Sequence, residues 1–359
     1  MRILDRYLLR EYISSCLLGL VGFVGIFLLV DAFEKLDVFV DHGASLPLVA
    51  RYYGLASVTF LIQVLPIAML LGTLFALSQL RKYNEIAAMQ SAGQSPWRLA
   101  QPLLLAALLV SAGQYALNEG LEPQIYEAQK RILNREIKRL AGEDMQSRAD
   151  VRVLGANGCV YAAQFYDARR SVLRGVTVQK VQDARLLWRV DAESAAWDGG
   201  AWRFERGFLR RFSESAVETL PFRVYGRSDV DEPPRQFGRQ NPDPFHLGMK
   251  DLWEYMKRLR ENGGDTSRFE TNFHIRASFP LANVIMTLLG AALSLRVLRG
   301  GSLAAGFGLS VSLGFAYFAL IRLGQALGYS ETLPPPLAAW LGNIIFSLFG
   351  GWLFWKVSR

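Results

Sequence analysis

Side chains able to do covalent or metal chemistry are few in this chain, and they are scattered. His42, His246 and His274 are the only histidines, and their spacing supports no zinc-type ligand set. Two cysteines, Cys16 and Cys159, build no disulfide framework and read as structural thiols. No Gly-Lys dipeptide occurs, so there is no P-loop and no self-contained ATPase. His-Glu-x-x-His and Gly-x-Ser-x-Gly are also missing, and the apolar stretches hold no acidic pair suited to an aspartyl protease or a proton relay. What remains is single charges at the ends of apolar stretches: Glu85, Lys35, Arg51 and Arg322. Their chemistry is recognition. A carboxylate can pair with an arginine on a partner. A cation can hold a phosphate, snorkel, or pair with a neighbouring carboxylate. Transport or scaffolding is therefore the expected class, with no metal or cofactor of its own.

These charges are placed by an apolar chain. Of its 359 residues, 51% are hydrophobic and 20% charged, with a mean hydropathy of +0.16, whereas soluble globular chains carry about a quarter charged residues. Residues 118–273 hold 26 of the 40 Lys+Arg and 24 of the 32 Asp+Glu, leaving 14 basic against 8 acidic residues elsewhere. A pI near 9.5 would suit nucleic acid, but this imbalance ties it to membrane topology. A bilayer core about 30 Å thick takes about 20 apolar helical residues. Six stretches qualify: 13–30, 53–80, 99–117, 277–295, 303–321 and 337–354. The first is too long for a signal peptide and lacks a small-x-small cleavage site.

Orientation follows from the short connections. With the N-terminus inside, the inner segments hold Arg2, Arg6, Arg10, Arg81, Lys82, Arg98, Arg296, Arg299, Lys356 and Arg359. The short outer loops hold only Lys35 and Arg51. Both termini are expected in the cytoplasm, with 118–273 outside. Pro66, mid-span, should kink or loosen the second helix. Ser302, Gly306, Ser310 and Gly314 form a small-xxx-small row in the fifth, either for close packing or for a seam that slides.

The domain organisation expected is residues 1–117 with three spans, 118–273 as an outer domain, and 274–359 with three more. Residues 119–141 read as a helix leaving the membrane. Segments 151–154, 158–165, 175–181, 186–190, 201–206 and 223–225 are short and β-prone, separated by turns such as Asp198-Gly199-Gly200. They suggest an all-β, jelly-roll-like domain with edges open to a partner strand. Residues 229–244 read as a linker and 247–261 as an amphipathic helix. Between the second and third spans, residues 85–93 form a short amphipathic segment. Glu85 is its only acid, beside exposed-looking Ile86 and Met89. It is expected either to dock on a cytoplasmic partner or to lie on the lipid surface.

Four stretches in order carry a resemblance. They are Leu4-Asp5-Arg6-Tyr7; Arg81-Lys82-Tyr83-Asn84-Glu85-Ile86-Ala87-Ala88-Met89-Gln90-Ser91-Ala92-Gly93-Gln94-Ser95; His274-Ile275-Arg276-Ala277-Ser278-Phe279-Pro280; and Leu333-Pro334-Pro335-Pro336-Leu337-Ala338-Ala339-Trp340-Leu341-Gly342-Asn343. With the topology, they resemble the LptF/LptG permeases of the lipopolysaccharide export ABC transporter over essentially the whole chain. The opening motif and residues 31–43 are more similar to LptG. Tyr83 departs from the family's usual small polar residue.

The resemblance implies an LptF–LptG pair above an LptB ATPase dimer that uses ATP. The pair extracts lipopolysaccharide from the inner membrane and passes it to a periplasmic bridge of LptC and LptA. The LptC helix enters beside a lateral gate of the first and fifth spans. On this chain the coupling helix would use Glu85, Ile86, Ala87, Met89 and Gly93. Lys35, Arg51 and Arg322 would meet lipid A phosphates, and Phe23, Phe27, Phe315 and Phe318 the acyl chains. Each has a plainer alternative: ion pairing or snorkelling for the cations, lipid contact for the phenylalanines. At the level of the whole chain the competing readings are a membrane-anchored scaffold, a lipid-modifying enzyme, and a mechanosensitive permease of another ABC family.

Overall fold

The computed structural model describes residues 3–138, 147–155, 158–182, 185–213, 217–227, 230–238, 247–261, 265–296 and 303–358. Contacts divide the chain into two compact units. One comprises Met1–Lys130, Pro244–Met249 and Ser267–Arg359; the other comprises Arg131–Asp243 and Lys250–Thr266.

The first unit is helical: α1 Ile3–Glu34, α2 Leu36–Asp41, α3 Leu46–Lys82, α4 Glu85–Ser91, α5 Pro96–Gly120, α6 Glu122–Arg131, α9 Ser267–Ser278, α10 Ala282–Arg296, α11 Leu303–Tyr329 and α12 Pro335–Ser358. α9 and α10 are joined by a 3₁₀ turn, Phe279–Leu281. Among the described residues six helices are long and apolar enough to cross a membrane: α1, α3, α5, α9–α10, α11 and α12. They match the six stretches expected, but each runs on into polar sequence. α1 starts ten residues early because Leu8 and Tyr12, four apart, continue its buried face. α11 runs on to Tyr329, whose hydroxyl bonds Asn272 and Gln325.

Contacts at the two ends fix alternating directions. At one end the Arg98–Asp5 ion pair (2.8 Å), the Trp97–Phe354 ring contact and the bond from Arg81 Nη1 to the Ser294 carbonyl (2.7 Å) gather the starts of α1 and α5 with the ends of α3, α10 and α12. This is the terminal end. At the other, Ser278 Oγ donates to the Ala339 carbonyl and Arg276 pairs with Glu119.

α3 is the central helix. It runs unbroken through Pro66. A proline cannot donate to the carbonyl four residues back, here that of Ile62, and Gln114 Nε2 supplies the missing donor at 2.8 Å. Asn283 Nδ2 then bonds Gln114 Oε1 (2.6 Å) and the Pro280 carbonyl (3.0 Å), which also accepts from Ser111 Oγ (2.7 Å). Neighbouring helices thus satisfy the groups that proline frees, as apolar surroundings require. A second proline, Pro280, lies in the 3₁₀ turn between α9 and α10.

In the small-residue row of α11, a Cβ on Gly314 would lie 2.8 Å from the Ile67 side chain, and one on Gly306 3.4 Å from the Phe75 ring. The row packs tightly on α3; Ser302 lies outside the described residues. Gly72 lets α1 approach from another side. A Cβ there would collide with Cys16 Sγ and sit 2.7 Å from the Cys16 Cα. Gly72→Val should force the helices apart at a cost of about 1–3 kcal/mol. Maleimide labelling of the partly exposed Cys16 should speed up while buried Cys159 stays protected. An unchanged Cys16 rate would mean that this approach is not held.

The second unit holds β1 Arg148–Leu154, β2 Cys159–Asp167, β3 Val172–Gln182, β4 Arg185–Trp197, β5 Trp202–Phe212 and β6 Val217–Gly226, plus α7 Pro234–Gly238 and most of α8 Met249–Glu261. The strands form one antiparallel sheet in the order β1-β2-β3-β4-β5-β6. All six β-prone segments are strands, each longer than its apolar centre. The alternation that marked them sets one buried face, with Cys159, Tyr161 and Ala163 on β2, Val176 and Val178 on β3, and Trp188, Val190 and Ala192 on β4. On β4, Asp191 collects Thr177 (2.8 Å), Arg189 and Arg210 (2.9 Å each).

Of residues 229–244, read as a linker, 230–238 belong to this fold; 229 and 239–244 lie outside the described residues. Val230 and Phe237 are fully buried in the sheet's core. Phe237, on α7, meets Trp202, Tyr161 and Tyr166 at ring distances of 5.0, 5.3 and 5.9 Å. Trp202 Nε1 donates to the Glu232 carbonyl at 2.7 Å. On α8, Leu252 and Met256 are buried one turn apart and Trp253 and Lys257 are exposed.

Candidate functional site

At the terminal end, α4 is a seven-residue connector between α3 and α5. Asn84 enters it in the left-handed conformation (φ 59°) and Gly93 leaves it at φ 85°. Such a φ suits glycine, and asparagine among the others. Ser95 Oγ then caps α5 by accepting from the Arg98 amide at 3.2 Å. Ile86 is buried, not exposed as its sequence position suggested. It joins a core with Leu8, Tyr12, Leu77 and Leu99, and Met89 packs against the same cluster. The outward face is Ala87, Ala88, Gln90, Ser91 and Gly93. These small side chains let another surface come close. Glu85 is half-buried. The sequence-predicted set therefore divides: Ile86 and Met89 anchor the connector, and Ala87 and Gly93 present it. Tyr83 is 63% exposed, so the family departure lies on the surface.

At the opposite end, Lys35 follows α1. Its ammonium donates to Asp31 Oδ1 and lies 5.4 Å from the centre of the Tyr52 ring. Burial alone would lower its pKa, but Asp31 and Tyr52 outweigh that and raise it, so the cation persists at neutral pH. Arg51 is exposed one turn inside α3. Arg322 belongs to a different group on α11: its Nη1 donates to Gln325 Oε1 at 2.8 Å, and Gln325 Nε2 donates to Asn272 Oδ1 at 3.1 Å.

Three of the four phenylalanines converge. Phe23, Phe27 and Phe318 pack with Val64, Ile67 and Leu71, so α1 and α11 share one apolar seam on α3. Phe23 stacks on Phe307 at 5.9 Å, joining α1 directly to α11. Phe315 points away from this seam and is 72% exposed.

One group escaped the sequence reading. Arg276 is 6% exposed, pairs with Glu119 (3.1 Å) and Glu122 (3.5 Å), and donates to the Asn118 carbonyl. Its signal was a lone arginine entering an apolar span, which is retained only where partners offset its burial. Beside it lies a cavity of about 40 Å³ lined by Thr59, Gln63, Asn118 and Glu122. Among the described residues no group of His, Cys, Asp and Glu is arranged to hold a metal; His246 lies outside them.

The family model for the lipopolysaccharide export system permease LptF/LptG matches residues 6–356. The chain belongs to the LptF/LptG family. The lipopolysaccharide export system permease protein LptG of Escherichia coli strain K12 is 25% identical over 369 residues, covering 99% of each chain. Its namesake in Haemophilus influenzae strain Rd is 22% identical over 364 residues, covering 99% of this chain and 98% of the relative. As an LptF/LptG permease the protein is a multi-pass membrane protein, and its β domain is inserted between the third and fourth spans. The family motifs now have positions. Leu4-Asp5-Arg6-Tyr7 forms the first turns of α1, beside α4. The stretch from His274 to Pro280 contains Arg276 and the 3₁₀ break.

Proposed function

We propose that this chain is the transmembrane permease subunit of an ABC transporter that extracts lipopolysaccharide from the inner membrane and passes it to a periplasmic bridge. The observation that carries this reading is α4: a short connector anchored by Ile86, with a small-residue face turned outward at the basic end of a six-span bundle. An LptB-type ATPase dimer would dock there, hydrolyse ATP and supply the work, since this chain has no P-loop. Both termini would be cytoplasmic and the β domain periplasmic, as the Lys/Arg bias favours. The α1–α11 seam would face an LptF-like paralogue and the LptC helix. The β6 edge exposes Val217, Leu220 and Val224 and offers LptC, and through it LptA, a surface to continue.

At the opposite end Lys35 is already engaged by Asp31. A lipid A phosphate would compete with that carboxylate for the ammonium, exchanging one charge-assisted bond for another. Arg51 and Arg322 would add cations at the same level, and Phe23, Phe27 and Phe318 would give acyl chains an apolar seam. Phe315 would meet lipid or a partner.

The test is co-purification from native membranes in mild detergent, with mass spectrometry of bound proteins and lipids. An ATPase, an LptF-like chain and lipid A species are expected. Glu85→Ala should reduce the ATPase recovered by about tenfold, the loss of one charge-assisted contact of about 1.4 kcal/mol, with membrane insertion intact. A chain that brings down ordinary phospholipid and no ATPase would favour the scaffold reading instead.

A further inference from the structure

One ion pair and one apolar contact tie the connector and the start of α5 to the first turns of α1. Asp5, in the first turn, is bridged by Arg98 at the start of α5, 2.8 Å to Oδ1 and 3.0 Å to Oδ2. Ile86 shares a buried cluster with Leu8 and Tyr12, the next positions along α1. Residues on both sides of the α4 turn therefore close on one short stretch of α1. The Asp5–Arg98 pair is partly buried, with side chains 11% and 29% exposed, so solvent screens it less than an open surface pair.

Packing indicates which helix can respond. In its most apolar window α1 is 11% buried, against 72% for α3. α3 is enclosed by neighbours. α1 is clasped at its terminal end and otherwise leans on α3 and, through Phe23–Phe307, on α11. A rigid helix held at one end moves with that end, and the Phe23–Phe307 contact lies further along the same helix.

We infer that Asp5 and Arg98 are positioning residues that make α1 follow α4, so that movement of the connector reaches the Phe23–Phe307 contact with α11. This rests on the permease reading above. Coupling of this kind is established by energetics, not by adjacency, so the test is a charge-swap cycle in the full complex. Wild type, Asp5→Arg, Arg98→Asp and the double variant are purified with their partners, placed in lipid, and assayed for lipopolysaccharide released per ATP hydrolysed. Each single variant should lower that ratio by about fivefold or more, the lower end of typical coupling between sites, with the ATPase still bound. The double variant should recover most of it. A merely structural pair would change the yield of complex and leave the ratio alone.

If a charge reversal prevents assembly, the milder Asp5→Asn and Arg98→Gln are read by the same ratio. Ratios equal to wild type in the variants that assemble, or a double variant no better than the singles, would overturn the inference. A wild-type chain that recruits no ATPase would instead overturn the permease reading, so the two failures are distinct.

Discussion

Arg276→Met should cost the helical unit about 3–5 kcal/mol, the usual penalty for stripping one partner from a buried ion pair. The arginine binds Glu119 at 3.1 Å, Glu122 at 3.5 Å and the Asn118 carbonyl. Glu119 also accepts from the Met249 amide at 2.7 Å, so Arg276 and Glu119 together tie the end of α5, the start of α6, α9 and residue 249. Methionine fills similar volume, so packing is largely kept and the loss is electrostatic. Glu122 is buried beside a cavity of only about 40 Å³. That holds a water or two and is far too small to hydrate a carboxylate as bulk solvent does. Thermal unfolding of the full chain in detergent should show the midpoint falling by roughly 6 °C or more, taking about 2 °C per kcal/mol for a unit of this size. Arg276→Lys should recover only part, because an ammonium cannot reproduce the guanidinium fork. Adding Glu119→Gln and Glu122→Gln to Arg276→Met should restore much of the loss, because the stranded charges are then gone. A triple variant as unstable as Arg276→Met alone would show that the arginine acts through packing.

This group also shows where sequence reading stops. The spans were legible because lipid demands about 20 apolar residues at a stretch. The strands were legible because one buried face imposes a period of two. Both signals are local. Arg276, Glu119 and Glu122 lie 157 and 154 positions apart in the chain, and no local period joins them. The same holds for Gln114, which sits 52 residues from the Ile62 carbonyl that Pro66 leaves without a donor. Ile86 was misjudged for a related reason. Its neighbours Glu85, Ala87 and Ala88 are small or polar, so the short segment looks solvated, and only the fold reveals that Leu8 and Tyr12 cover one position of it. Lys35 was read both as a phosphate contact and as an ion-pair partner. The second is present in the uncomplexed chain, four residues apart on one helix face, where proximity is decided locally.

Phe237→Ala should be comparably severe, and it should act on the β domain. Pro233-Pro234 and Asn241-Pro242-Asp243-Pro244 make residues 229–244 look like a tether. Phe237 nonetheless returns to the sheet, where it is 0% exposed against Trp202, Tyr161 and Tyr166. Truncation removes about 3–5 kcal/mol through lost transfer energy and the cavity left behind. Weakened aromatic pairing accounts for part of that loss. Phe237→Leu should cost about half as much, since it keeps most of the volume. Hydrogen exchange on the full chain should show protection falling in 159–167 and 202–212, the strands that bear those rings. Helices α3 and α10, in the other compact unit, should exchange as in wild type. Alkaline titration gives a second reading. Burial raises the Tyr161 and Tyr166 phenols above their usual value near 10. The stability they contribute is complete below about pH 10 and is lost as pH rises through the folded-state values, because the unfolded chain then binds fewer protons. Opening the core at residue 237 should bring both phenols back towards the ordinary value, so that they ionise at lower pH. Unchanged exchange and unchanged phenol titration together would mean that residues 230–238 are a tether after all.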